Sequence, residues 1–187
     1  MSVDRCLKKM KLIAITKPDF YDGEAAFIKR LFESGFDIVH LRTPNSDIDN
    51  CRNILNELSS EERSKIVVHD YPELYYDFSL KGIHINKNIV KYPEGYQGFK
   101  TCSCHSLEEV MLYKDDFDYV FLSPIFDSIS KQGYKSAFTE DELRRASEEG
   151  IIDKKVVALG GVTYDRISLL KDLGFGGAAM MGGVFIN

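Results

Sequence analysis

The sequence predicts a (β/α)8 barrel, and three observations predict it. Strand-like and helix-like segments alternate along the chain with no break in composition. Most of the eight strand candidates are continuous apolar runs, as expected when both faces of a parallel strand are covered. The carboxyl ends of those strands carry all four histidines of the chain, and barrel enzymes keep their chemistry at that end. An open doubly wound sheet would want a glycine-rich turn after the first strand, and Lys17-Pro18-Asp19 stands there instead.

The elements follow in order. Leu12–Thr16 is a short apolar strand ended by Lys17-Pro18. A helix spans Gly23–Gly35, with Ala26, Phe27, Leu31 and Phe32 near helical spacing and Gly35 as its stop. Asp37–Arg42 is the second strand. Ser46 or Asp47 caps a helix that presents Ile48, Cys51, Ile54, Leu55 and Leu58 on one face. Lys65–His69 is the third strand, Pro72–Ser79 a short helix, Gly82–Ile85 the fourth strand and Phe99–Ser103 the fifth. The stretch 86–98 is too polar to predict a helix. Ser106 opens a helix with an acidic first turn, Glu108 and Glu109, which the helix dipole favours. Asp118–Ser123 is the sixth strand. Thr139–Glu149 is a helix, since Thr139-x-x-Glu142 is a capping box. Lys155–Leu159 and Gly177–Met181 are strands seven and eight, with a helix over Thr163–Leu173 between them.

With 187 residues, 44% of them hydrophobic and 28% charged, the chain fits one domain over residues 10–187, after a flexible extension of residues 1–9. A net charge of −5 argues against nonspecific nucleic-acid binding. No apolar run approaches the roughly 20 residues a membrane helix needs. No apolar core follows the first nine residues, so no signal peptide is read there. The expectation is a cytoplasmic protein with Cys6, Cys51, Cys102 and Cys104 as reduced thiols, because Cys102-x-Cys104 is too tight for the usual zinc spacing. Asn187 follows soon after the eighth strand and leaves no room for a final helix. Either more chain follows it or a partner subunit, as in a homo-oligomer, covers the apolar side chains of strands one and eight.

The polar residues at the strand ends form a candidate site. His40 and Arg42 alternate onto one face of strand two. His69-Asp70 ends strand three, His84 leads to Asn86 and Asn88, and Ser103 precedes His105. Strand six runs into Ser128, Ser130 and Lys131, two hydroxyls and an ammonium suited to phosphate oxygens. Gly160-Gly161 and Gly182-Gly183 end strands seven and eight, and paired loops there are a common phosphate grip of such barrels.

These residues carry a resemblance. HLR at 40–42, HD at 69–70, GIHI at 82–85, SCHSLEE at 103–109, DYVFLSPIFDSISK at 118–131, VVALGGV at 156–162 and GFGGAAMMGGVF at 174–185 resemble the thiamine-phosphate synthase and TenI superfamily. The resemblance implies a (β/α)8 barrel and a transferase that joins a pyrimidine diphosphate to a thiazole phosphate with Mg2+, releasing pyrophosphate. It implies Arg42, Ser130 and Lys131 as catalytic groups on the departing pyrophosphate, helped by Ser128. It implies Asp70 as the Mg2+ ligand, Ser103 near the pyrimidine, and Gly160, Gly161, Gly182 and Gly183 as the thiazole-phosphate grip. His40, His69 and His84 are expected in the substrate site. The chain departs from the synthase pattern at four places. His40 stands for a glutamine, Pro44 for a lysine and His69 for an asparagine, and the second Mg2+ carboxylate falls near Asn88 or Ile89. The TenI branch uses a histidine where Pro124 stands. Two other readings accompany the synthase: a TenI-like thiazole tautomerase or other small-molecule enzyme with His40, His69 or His84 as acid or base, and a non-catalytic phosphate-binding relative.

Overall fold

The computed structural model describes residues 10–86, 91–127 and 136–181. Its strands are β1 (Lys11–Ile15), β2 (Ile38–Leu41), β3 (Ile66–Val68), β4 (Gly82–Ile85), β5 (Phe99–Cys104), β6 (Tyr119–Leu122), β7 (Val156–Ala158) and β8 (Gly177–Met180). Each pairs in parallel with the next, and β1 pairs with β8 from Lys11↔Gly177 to Ala14↔Met180, so the barrel is closed. This is the (β/α)8 architecture.

Every strand alternates between the two sides of that wall. Ile13, Ile15, Ile38, Val67, Tyr119, Phe121, Val157 and Ala179 form one buried cluster, the barrel interior. The intervening residues, such as Ala14, Val39, Leu41, Ile83, Val120 and Ala158, belong to the larger cluster that includes the helix faces. The helices are α1 (Glu24–Glu33), α2 (Ile48–Glu57), α3 (Ser60–Arg63), α4 (Glu73–Phe78), α5 (Leu107–Tyr113), α6 (Glu140–Glu148) and α7 (Ile167–Asp172). Asp47, rather than Ser46, caps α2 by accepting from the Asn50 amide at 2.8 Å. Ser106 caps α5, and Thr139 and Glu142 complete the expected box on α6. The short helix α3 was not expected, although Ser59-x-x-Glu62 carries the same capping-box signature. Strand three is shorter than expected and β5 one residue longer, reaching Cys104.

At the outer wall of β8 and β1, Ala14, Ala178 and Met180 are each 1% exposed or less, and Leu12, the fourth outward side chain, is partly buried. The expectation about a final helix concerns residues 182–187, outside the described residues.

Among the described residues no helix joins β4 to β5. Tyr92 and Tyr96 stack there with centroids 4.8 Å apart, and Tyr75 packs edge-on against Tyr96 at 4.8 Å. The Tyr96 hydroxyl accepts from the Ile83 amide at 2.8 Å and donates to the Phe99 carbonyl at 2.7 Å, clamping the two strands. Tyr96→Phe leaves both buried backbone groups unpaired. It should cost about 2 kcal/mol of folding stability in urea unfolding, within the range for orphaned buried polar groups.

Candidate active site

The barrel interior becomes polar toward its carboxyl end. His40 from β2 is paired in register with Ile15 and Val67 and is completely buried. His84 lies opposite Thr101, and Thr101 opposite Tyr119. His69 follows β3 directly. Period-two alternation therefore carries these side chains into one volume. His40 Nδ1 meets His69 Nε2 at 2.7 Å, and His40 Nε2 is in hydrogen-bond contact with the Tyr119 hydroxyl. His84 Nδ1 meets Thr101 Oγ1 at 2.8 Å and its Nε2 meets Ser103 Oγ at 3.1 Å. The His69 and His84 rings stack, 4.1 Å apart and 12° from parallel. Asn86 Nδ2 donates to the His69 carbonyl at 2.5 Å.

The environment keeps these rings neutral. Burial pushes the His40 pKa well below the usual imidazole value, and a second positive charge at His84 would push it further. Burial does the same to His69, reinforced by His84, His40 and Arg42. Burial, with the Arg42 charge, brings His84 down to about 3. The Arg42 guanidinium thus acts on the same volume as the histidines, as the spacing of His40 and Arg42 predicts. The fourth histidine, His105, stands apart: its Nδ1 donates to the Ser123 carbonyl at 3.1 Å.

The nitrogens of His40, His69 and His84 lie within 4.8 Å of one another, a spacing that suggests a metal site. The ring orientations do not fit one. A metal lies in the plane of each imidazole that binds it, and two nearly parallel stacked rings share no such point. Both nitrogens of His40 and of His84 are also engaged already.

The rim at β1, β2 and β3 is tied together through the backbone. Thr16 Oγ1 accepts from the Arg42 amide at 3.0 Å. Asp70 Oδ2 accepts from the Thr43 amide at 3.2 Å, and the Thr43 hydroxyl contacts Cys51 Sγ at 3.0 Å. Beneath this corner Glu24 is 1% exposed, and it rests against Thr16 and Tyr21 with neither carboxylate oxygen in a well-formed hydrogen bond. Burial raises its pKa to about 7. Cys51, Cys102 and Cys104 are free thiols, as expected.

Across the mouth, Gly160 and Gly161 have φ of 92° and 62°. A Cβ on Gly160 would meet Pro124 Cα at 2.8 Å, and one on Gly161 the Asp127 carbonyl at 2.3 Å. Glycine is thus required here by the turn and by the β6 loop pressed against it, whatever ligand the loop holds. A cavity of about 310 Å³ opens elsewhere, lined by Phe126, Phe138 and Arg166 among others, with no histidine in its wall.

The chain matches the family model described as thiamine monophosphate synthase (TMP-TENI) over residues 12–184. It belongs to that family. A solved thiamine phosphate pyrophosphorylase from Bacteroides thetaiotaomicron is 41% identical, with a TM-score of 0.86 over 94% of this chain and 85% of that one. The thiamine-phosphate synthase of Limosilactobacillus reuteri is 29% identical over 127 residues, 64% of this chain and 58% of the relative's length. That of Halalkalibacterium halodurans is 23% identical over 179 residues, 90% and 84% of the two chains. Thiamine-phosphate synthases are transferases.

The structure brings His40, His69, His84 and Ser103 into one hydrogen-bonded group with the Arg42 charge beside it, while Asp70 turns to the Thr43 amide on the rim. Ser128, Ser130, Lys131, Gly182 and Gly183, and with them Asn88 and Ile89, lie outside the described residues. Tyr119, Thr101, Thr16 and Glu24 were missed. Extending the period-two reading from His84 to its strand neighbours would have found Thr101 and Tyr119. Glu24 reads in sequence as an ordinary acidic first-turn residue, and nothing marks it as buried.

Stability should depend on pH in two opposing ways. His40, His69 and His84 titrate near 6.5 in the unfolded chain but well below that when folded, so their contribution is complete above pH 6.5 and lost as pH falls. The three together should remove about 4 kcal/mol between pH 7.5 and 5.5, at 1.36 kcal/mol per pKa unit each. Glu24 acts oppositely: it ionises from 4.5 when unfolded but only near 7 when folded, so it destabilises as pH rises through that window. Glu24→Gln should therefore gain about 3 kcal/mol more at pH 7.5 than at pH 4.5, read by urea unfolding at each pH. The histidine effect is best measured in that background.

Proposed function

We propose that the protein is a transferase of the thiamine-phosphate synthase type, joining hydroxymethylpyrimidine diphosphate to thiazole phosphate and releasing pyrophosphate. The observation that carries this reading is the rim corner: Arg42 and Asp70 stand on adjoining strand ends held by Thr16 and Thr43, above an uncharged hydrogen-bonding floor. Family membership and relatives named for this reaction support it.

In this reaction the bond between the pyrimidine methylene and the diphosphate breaks, and its electron pair leaves with the diphosphate. The thiazole nitrogen then attacks the carbocation-like methylene. No protein nucleophile is needed. The chain's task is to stabilise the departing charge and to hold the two rings in line. Arg42 would take the negative charge directly. Ser128, Ser130 and Lys131 would share it, and the backbone of the Gly160-Gly161 and Gly182-Gly183 loops would hold the thiazole phosphate. Ser103 and the histidine floor would hold the pyrimidine ring. Mg2+ suits one or two carboxylates completed by water and phosphate oxygens, and Asp70, half-buried with Oδ2 oriented by the Thr43 amide, fits one such ligand. The ion, when bound there, would supply further neutralisation of the leaving group.

The purified protein, given both phosphorylated precursors and Mg2+, should form thiamine phosphate and pyrophosphate in equal amounts. Arg42→Ala should lower kcat/KM about 100-fold, the scale of lost hydrogen bonds to a charged group. Absence of product with the wild-type protein would overturn the assignment.

A further inference from the structure

The hydrogen-bond connections of the barrel floor determine where its protons sit. The Tyr119 hydroxyl is completely buried, and among the described residues its one hydrogen-bonding partner is His40 Nε2. Burial holds the phenol protonated, with a pKa well above its ordinary value. A buried O–H without an acceptor costs about 1–3 kcal/mol, so this hydroxyl donates to His40 Nε2. A neutral imidazole has one donor and one acceptor nitrogen. His40 therefore carries its proton on Nδ1 and donates it to His69 Nε2 at 2.7 Å. His69 in turn carries its proton on Nδ1.

A second relay runs the same way. Thr101 is completely buried, and its hydroxyl meets His84 Nδ1 at 2.8 Å. By the same reasoning it donates, His84 carries its proton on Nε2, and Nε2–H donates to Ser103 Oγ at 3.1 Å. The Ser103 oxygen is thereby used as an acceptor, and its own proton turns to the mouth, where Ser103 is exposed.

We propose that Tyr119 and Thr101 are positioning residues that set the donor polarity of the mouth, so that His69 Nδ1–H and Ser103 O–H face the ligand as uncharged donors. The ligand chemistry they select is an uncharged aromatic nitrogen heterocycle with unprotonated in-plane nitrogens. A protonated ring would bring a donor against a donor and place its charge beside Arg42. This deepens the synthase reading by assigning the chemistry of its ring site, but the proton positions do not depend on any reaction taking place.

Two-bond proton–nitrogen correlation spectra of protein labelled with 15N-histidine, recorded without ligand at pH 7.5, test the relays. His40 and His69 should show the Nδ1–H tautomer and His84 the Nε2–H tautomer. Tyr119→Phe should alter His40 and His69 and leave His84 unchanged; Thr101→Val should do the reverse. His40 or His84 in the opposite tautomer overturns the proposal, and the wild-type spectrum decides this even where a variant fails to fold. Pyrimidine is the probe for the ligand. Its addition should shift the His69 Nδ1 resonance, and Tyr119→Phe should weaken it roughly fivefold, the scale of one hydrogen bond. No shift at saturating pyrimidine overturns the ligand assignment. A failed synthase assay with these spectra as expected would count against the reaction alone.

Discussion

The structure depends on how the closed barrel fills its upper interior. Eight parallel strands enclose a volume that side chains must occupy, and in most such barrels branched aliphatics do so. Here the lower part follows that rule with Ile13, Ile38, Val67 and Val157, while the upper part is built from imidazoles. A polar core holds only if each buried donor and acceptor is matched. The Tyr119 and Thr101 hydroxyls supply the matches that make His40 and His84 compatible with complete burial. Their cost appears as the strong depression of the histidine pKa values, which keeps the floor uncharged across the neutral range.

This packing changes the meaning of two departures from the synthase pattern. His40 and His69 stand where the pattern has glutamine and asparagine, and read along the sequence they are two separate losses. In space their rings share a hydrogen bond of 2.7 Å. They therefore act as one linked pair, in which each neutral ring offers one donor and one acceptor.

The fold was legible because its signals are local and repeated. Apolar strands, the capping boxes and the period-two placement of His40 with Arg42 each fix a short stretch, and eight repeats fix the barrel. The same logic placed His69, His84 and Ser103 at one end of it. What was not legible depends on contacts across the barrel. Tyr119 reads as one more apolar strand residue, because only closure brings it opposite His40, 79 residues away. Glu24 occupies a first-turn position that the helix dipole favours, and its contacts with Thr16 and Tyr21 leave no mark in the helical pattern.

The ties at the rim have a mechanical consequence. Thr16 holds the Arg42 amide, Asp70 holds the Thr43 amide, and Asn45 reaches back to Asp19 at 2.8 Å. The ends of three consecutive strands are thereby laced at successive residues into a single stiff corner. The strand ends carrying the guanidinium and the carboxylate are joined by main-chain amides that donate to the short side chains of Thr16 and Asp70. A pull on one is transmitted to the other without a hinge between them. This side of the mouth is thus braced like an anvil, with each strand end resting on its neighbour.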